Sequence, residues 1–457
     1  MKKVIAALKD LFTAKEFHHK MLHLAVPIAL SGILSSSLQI IDTLMIAQLG
    51  DVSVAAVGLA NRLTFLLSFL VTAVTSGSAI FAAQYWGERN ENGLKRAFGL
   101  GLSLMVPIDV LFAIVAVFFP QFVMNIFSKD PQVIAEGCAY LRVLGPVFIF
   151  QGLTAVLGTM LKSTERPRLP MIAGTVSISL NVVLNYVLIF GKLGMPALGA
   201  QGAAIATLIS AVVEIVLLAV LARAKKAPIT LSLSSIKKPD TPFLKKFMST
   251  TIPVFVNEVG WGMGVLVTTW VYSTMGTASA AAASIYETIK AFIIIICISI
   301  GTSGGILVGI ELGAGKLEEA EQTVRRILYL GLVAAIVACP VLLALIPQLL
   351  KLYSELSPEA TNSLRVMLSV LSVCLWIKMG NYNMIVAVMR AGGDTMSGTI
   401  CDVGSMWAVT VPLIFIFGYL VKWPIEYVFP LSFLGDAANS VFCILCVRKR
   451  KWKRQLS

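Results

Sequence analysis

The chain has 457 residues, of which 57% are hydrophobic and only 13% charged, and its formal net charge is +13. A soluble domain carries about 25% charged residues, so a water-soluble globular fold is excluded and an all-α integral membrane protein is expected. The basic balance calls for no nucleic acid, because cytoplasmic loops of membrane proteins collect Lys and Arg and face anionic headgroups.

The chain opens on a charged, amphipathic lead over residues 1–23, read as interfacial. It lacks a small-residue cleavage site, so no cleaved signal peptide is expected. All three histidines, His18, His19 and His23, lie in it. No histidine-based metal or catalytic centre is therefore expected inside the bilayer. Twelve apolar runs follow, at roughly 24–48, 53–80, 96–119, 133–160, 169–190, 200–222, 249–274, 279–308, 323–349, 361–389, 397–421 and 425–447. Each is long enough to cross a bilayer as a helix, which takes about 20 residues. Between the sixth and seventh lies AKKAPITLSLSSIKKPDTPFLKK, the one long polar stretch. It separates an N-lobe (24–222, helices 1–6) from a C-lobe (249–447, helices 7–12) by a basic linker (223–248), and a basic tail (448–457) closes the chain.

With both termini in the cytoplasm, the lead, inner loops, linker and tail hold 28 Lys and Arg, and the outer loops hold four. Arg390 is counted among the inner charges, after helix 10. The positive-inside rule selects this orientation. The seven cysteines lie in or beside the apolar runs. An odd number there argues against a disulfide framework, and Cys443 and Cys446 are read as packing.

The two lobes repeat one pattern. VPIALSGIL from Val26 and IPVFVNEVG from Ile252 align with a shift of 226, which puts Pro27 on Pro253, Gly50 on Gly276 and Ala55-Ala56 on Ala281-Ala282. Two like halves, each of six helices, are related by an axis along the membrane normal. They suit a transporter that rocks about a central site. Pro27, Pro107, Pro146, Pro253, Pro340 and Pro412 fall within the apolar runs and favour kinks.

Acids inside the runs are the candidate functional groups. A carboxylate near a helix centre costs about 2.5–3.5 kcal/mol on insertion scales, so it must face a cavity, find a partner or take a proton. Asp42 lies in helix 1. Asn181 and Asn185, spaced i, i+4 on one face of helix 5, reach a comparable depth at 1.5 Å per residue. The expectation is one coupling-ion site for H⁺ or Na⁺, in which amides bond either protonation state. In helix 7, Glu258 has Asn257 before it and Trp261 at i+3, with glycines at 260, 262 and 264. An acid beside an indole suits an organic cation, so Glu258, Asn257, Trp261 and Asp402 are expected to form a C-lobe site for substrate or a coupling ion, and the glycines admit a helix or a ligand. Asp402, in helix 11, is expected at a depth like that of Glu258. Asp109, Glu214, Glu287, Glu311 and Asp436 are weaker candidates, with Glu287 pairing Lys290 at i+3. The polar groups do not repeat between lobes: Thr268 stands opposite Asp42, and Gly32 opposite Glu258.

The motifs IDTLMIAQLG, LKSTERPRLP, NVVLNYVLIFGKLGMPALGAQGAAIAT, VNEVGWGMG, MGTASAAAASI and MRAGGDT together resemble the multidrug and toxic compound extrusion (MATE) transporters over about residues 20–450. The resemblance implies a twelve-helix exporter that exchanges H⁺ or Na⁺ for organic cations. Asp42 matches the family's N-lobe acid, Asn181 and Asn185 the helix-5 polar pair, Thr207 a threonine near that cluster and Glu258 the helix-7 acid. Some members carry Asp where this chain has Asn185, which places it nearer the NorM-type branch.

The expected protein is thus an antiporter in the cell membrane rather than an enzyme. It needs no cofactor besides a coupling ion, and a monomer suffices to form the cavity. Its partners are the lipid bilayer and a cationic, amphipathic small molecule. The alternatives are a flippase for lipid-linked precursors from the same wider superfamily and, more remotely, a membrane-embedded enzyme. The enzyme needs a convergent catalytic cluster that the sequence does not display.

Overall fold

The computed structural model describes residues 10–11, 13–231, 241–353 and 356–456. Among these are twelve helices long and apolar enough to cross a membrane. They are α1 (Lys15–Ala47), α2 (Asp51–Gly87), α3 (Glu91–Phe118), α4 (Pro131–Ser163), α5 (Arg168–Phe190) and α6 (Gly199–Ala224) in the first half. The second half has α7 (Thr241–Thr274), α8 (Thr277–Gly313), α9 (Leu317–Leu352), α10 (Pro358–Arg390), α11 (Thr395–Leu420) and α12 (Ile425–Arg448). All twelve expected runs are present, and the chain is a multi-pass, all-α membrane protein.

The sequence repeat becomes a repeat of helix starts. Lys15, Asp51, Glu91 and Gly199 recur at Thr241, Thr277, Leu317 and Ile425 with a shift of 226, and Pro131 and Arg168 at Pro358 and Thr395 with a shift of 227. The turns carry the reason. Gly50 and Gly276 both precede a helix with φ of 100° and 124° and ψ of 174° and 162°, a region essentially restricted to glycine. Asp130 and its counterpart Ser357 both cap the next helix, accepting from the Gln132 and Ala360 amides at 2.8 and 3.2 Å. Such caps satisfy N–H groups that the first turn leaves free.

The halves differ where proline meets context. In the first, α3 stops at Phe118 and Pro120 opens a short helix to Phe127. In the second, the related Pro347 is absorbed within α9. Two helices carry π-helical turns: α10 over Asn383–Arg390, and α11 over Met406–Thr410 and Phe415–Leu420 on either side of the turn with Pro412.

Internal packing divides the chain into two units, one spanning Val26–Thr251 and the other joining the residues up to Ala25 to Ile252–Ser457. Both boundaries fall inside a helix, one residue before Pro27 and Pro253. The start of α1 therefore belongs with the second half, where Asp10 accepts two bonds of 2.9 Å from Arg326. The start of α7 belongs with the first half, where Phe247 stacks on Phe81 with ring centroids 5.6 Å apart and Arg96 lies 4.6 Å above the Phe243 ring.

Candidate functional site

In the first unit, α5 and α6 approach so closely that a side chain at Gly202 would lie 2.6 Å from the Leu188 carbonyl. Small residues at such a crossing let backbones meet, and here they bring the polar face of α5 beside α6 and α1. Asn185, fully buried, donates through Nδ2 to Asp42 Oδ1 at 2.6 Å and to Asn181 Oδ1 at 2.9 Å. Asn181 Nδ2 reaches Thr207 Oγ1 at 3.4 Å, and the Thr207 hydroxyl donates to the Ala203 carbonyl at 2.9 Å. Asp42, Asn181, Asn185 and Thr207, chosen from sequence, thus form one chain of bonds across three helices. Asn185 Oδ1 is buried with no partner. It is an acceptor left open beside a carboxylate, and no Lys or Arg pairs with Asp42 among the described residues. The acceptors are carboxylate, amide and hydroxyl oxygens, the donor type that a hard cation takes, and the carboxylate can also take a proton.

The second unit is arranged differently. Glu258 is ion-paired: Arg390 Nη2 lies 3.0 Å from Glu258 Oε1 and 2.5 Å from Asn257 Oδ1. Asn257 then donates to Asp402 Oδ2 at 3.1 Å, and Asn439 of α12 donates to the other oxygen of Asp402 at 3.1 Å. Glu258, Asn257 and Asp402 therefore share one network. Arg390 needs correcting. It is the last residue of α10 and has only 13% of its side chain exposed, because one of its terminal nitrogens serves both the Glu258 carboxylate and the Asn257 amide oxygen. Trp261 is 46% exposed. The glycine face of α7 meets a helix, with Gly260 against Val403 and Gly264 against Met406 of α11.

Two further acids have built-in bases. Glu287 pairs with Lys290 as its spacing suggested, at 2.5 Å. Asp436 pairs with Lys378 of α10 at 2.6 Å. The Lys378 ammonium also sits 4.8 Å above the Phe433 ring. The sequence reading missed Arg390, Lys378 and Asn439. For Asn439 and Lys378 the available signal was a polar residue within an apolar run; for Arg390 it was membership of MRAGGDT.

Comparison with known proteins agrees with this architecture. A sequence profile of the MatE family matches residues 27–187 and 253–416, two stretches that open on the repeat prolines 226 residues apart. A probable multidrug resistance protein, YoeA, from Bacillus subtilis (strain 168) is 26% identical over 94% of this chain and 93% of its own length. A probable multidrug resistance protein NorM from Rhizobium meliloti (strain 1021) is 24% identical over 94% and 92%. Among solved structures, the Vibrio cholerae MATE transporter VcmN superposes with a TM-score of 0.87 at 18% identity, covering 96% of this chain and 97% of that one. With a profile match across both halves, the chain belongs to the MatE family, the MATE transporters that its motifs resemble.

Proposed function

We propose that the protein is a secondary active antiporter that exports cationic, amphipathic small molecules in exchange for H⁺ or Na⁺, with both termini in the cytoplasm. The observation that carries this reading is the Asp42–Asn185–Asn181–Thr207 chain. It is an intramembrane acid with amide and hydroxyl partners and no basic one, so an ion or proton can supply the positive charge. Three acids of the second unit, Glu258, Glu287 and Asp436, each hold a resident cation and fit a different role, while Asp402 is bonded by the amides of Asn257 and Asn439. Coupling is therefore assigned to the first unit. The relatives described as multidrug resistance proteins support a small-molecule substrate, and the intramembrane acids support its positive charge.

An ion drives transport only if it binds two states with different affinity. Protonation or Na⁺ binding changes what the Asp42 cluster can donate and accept, so it reweights the states of α1, α5 and α6. The test is efflux of a fluorescent organic cation from proteoliposomes under separately imposed H⁺ and Na⁺ gradients. Asp42→Asn is expected to abolish gradient-driven efflux, and the effective gradient names the ion. Glu258→Gln is expected to leave coupling intact while weakening transport. No efflux under either gradient, with the protein correctly inserted, would overturn the reading and turn the search to lipid-linked substrates.

A further inference from the structure

The basic tail beyond α12 is docked rather than free. Trp452 is only 2% exposed. Its backbone lies so close to Gly392 that any side chain at 392 would collide with it, and Leu456 approaches Gly393, whose φ is +76°. Lys453 and Arg450 both pair with Glu321 at the start of α9. Gln455 Nε2 donates to the Gly313 carbonyl at the end of α8, at 3.2 Å. The tail thus grips the α8–α9 and α10–α11 turns together.

The second of these turns carries Arg390, two residues before Gly392. It is closed by amide bonds from Gly392 to Val388, Gly393 to Arg390 and Asp394 to Met389, at 3.0, 2.9 and 2.8 Å. The eight residues leading into it are π-helical. π turns are wide and cluster at functional sites, and such a turn sets the direction in which the last side chain leaves the helix. Arg390 uses that direction to reach Glu258 and Asn257 on α7, and α11 holds α7 nearby through Thr399, whose hydroxyl donates to the Pro253 carbonyl at 2.7 Å.

We propose that the docked tail is a strap that holds the α10–α11 turn, and that Trp452 is a positioning residue for the Arg390–Glu258–Asn257 network. The side chain touches neither acid. It acts by seating the turn from which Arg390 projects. The pair of glycines at 392 and 393 has the same explanation: one admits the tail backbone, and the other supplies the left-handed φ.

The test approaches the contact from both sides. Trp452→Ala, Gly392→Ala and truncation after Arg448 each undock the tail, and each is expected to lower efflux of the fluorescent cation by roughly fivefold or more at equal amounts of inserted protein. Trp452→Phe retains the apolar anchor and is expected to stay near wild type. The deciding measurement repeats Trp452→Ala in an Arg390→Gln background. There it is expected to have no further effect, because its target is gone. Thermal unfolding of the wild type, Trp452→Ala, Arg390→Gln and the double variant runs the cycle without transport and is expected to give less than the sum of the two single losses, so failure of the wild type to move the probe would count against the transport reading alone. Undocked variants with wild-type efflux, or efflux losses that multiply and melting losses that add in full in the Arg390→Gln background, would overturn the strap.

Discussion

Asp42 and Glu258 are both acids in apolar helices, and their surroundings separate them. Asp42 is bonded by a neutral amide; Glu258 is held by a guanidinium. Asp42→Asn leaves the chain of donors and acceptors continuous, and a neutral hydrogen bond contributes only about 0.5–1.5 kcal/mol. Its melting temperature in detergent is thus expected to stay within a few degrees of wild type even where coupled efflux is lost. Asp109 is a different case. It is fully buried with neither carboxyl oxygen bonded, and it lies where a side chain at Gly152 would project. Gly152→Ala is therefore expected to destabilise by about 1–3 kcal/mol through overpacking. Adding Asp109→Ala should cost less than the sum of the two single changes, a non-additivity measurable by thermal unfolding. Outside the membrane spans, the hydrogen bond from Arg326 holds the Asp10 carboxyl below its ordinary value of 3.8. A depressed acid contributes stability that is present above the unfolded value and lost as pH falls through the folded one. The small stabilisation of wild type over Asp10→Asn should persist from neutral pH to about pH 4 and vanish in stronger acid.

At the scale of the element, each half repeats the other through its turns. Gly50 and Gly276 have open space around the position of a Cβ, so glycine is demanded there by backbone conformation and not by crowding. Alanine at either position should cost of order 1–3 kcal/mol, with similar losses at the two sites when each is measured by thermal unfolding. Much of this was legible in the sequence. The shift of 226 predicted the recurrence of helix starts, and the i, i+4 spacing of Asn181 and Asn185 placed them on one face at the depth of Asp42. The second unit was less legible for a physical reason. Cations near helix ends are read as markers of topology, and nothing in the linear order says that Arg390 meets an acid 132 residues away. Lys378 lies within its helix, and its acid Asp436 lies 58 residues on. A polar residue in an apolar run announces that it has a partner without naming it.

At the scale of the whole molecule, the units defined by packing are not the halves defined by the repeat. The start of α1 is built into the second unit and the start of α7 into the first, and the exchange takes place one residue before Pro27 and Pro253. A chain divided between Leu231 and Thr241 therefore does not yield two closed bodies. Each fragment carries away a piece of the other's interior. Either fragment expressed alone is expected to be degraded, and the two expressed together to copurify; recovery of a stable, protease-resistant fragment on its own would contradict this. Exchange of an identical terminal element between like units is the geometry of a domain-swapped dimer. The single chain has the connectivity that such a dimer acquires when its two copies are joined by a linker. A half-length ancestor that traded the ends of its first helices would have needed only a tandem duplication and a linker to become this chain. The polar groups differ between the copies: Asp42 of the first is bonded by an amide, and Glu258, Glu287 and Asp436 of the second are paired with bases.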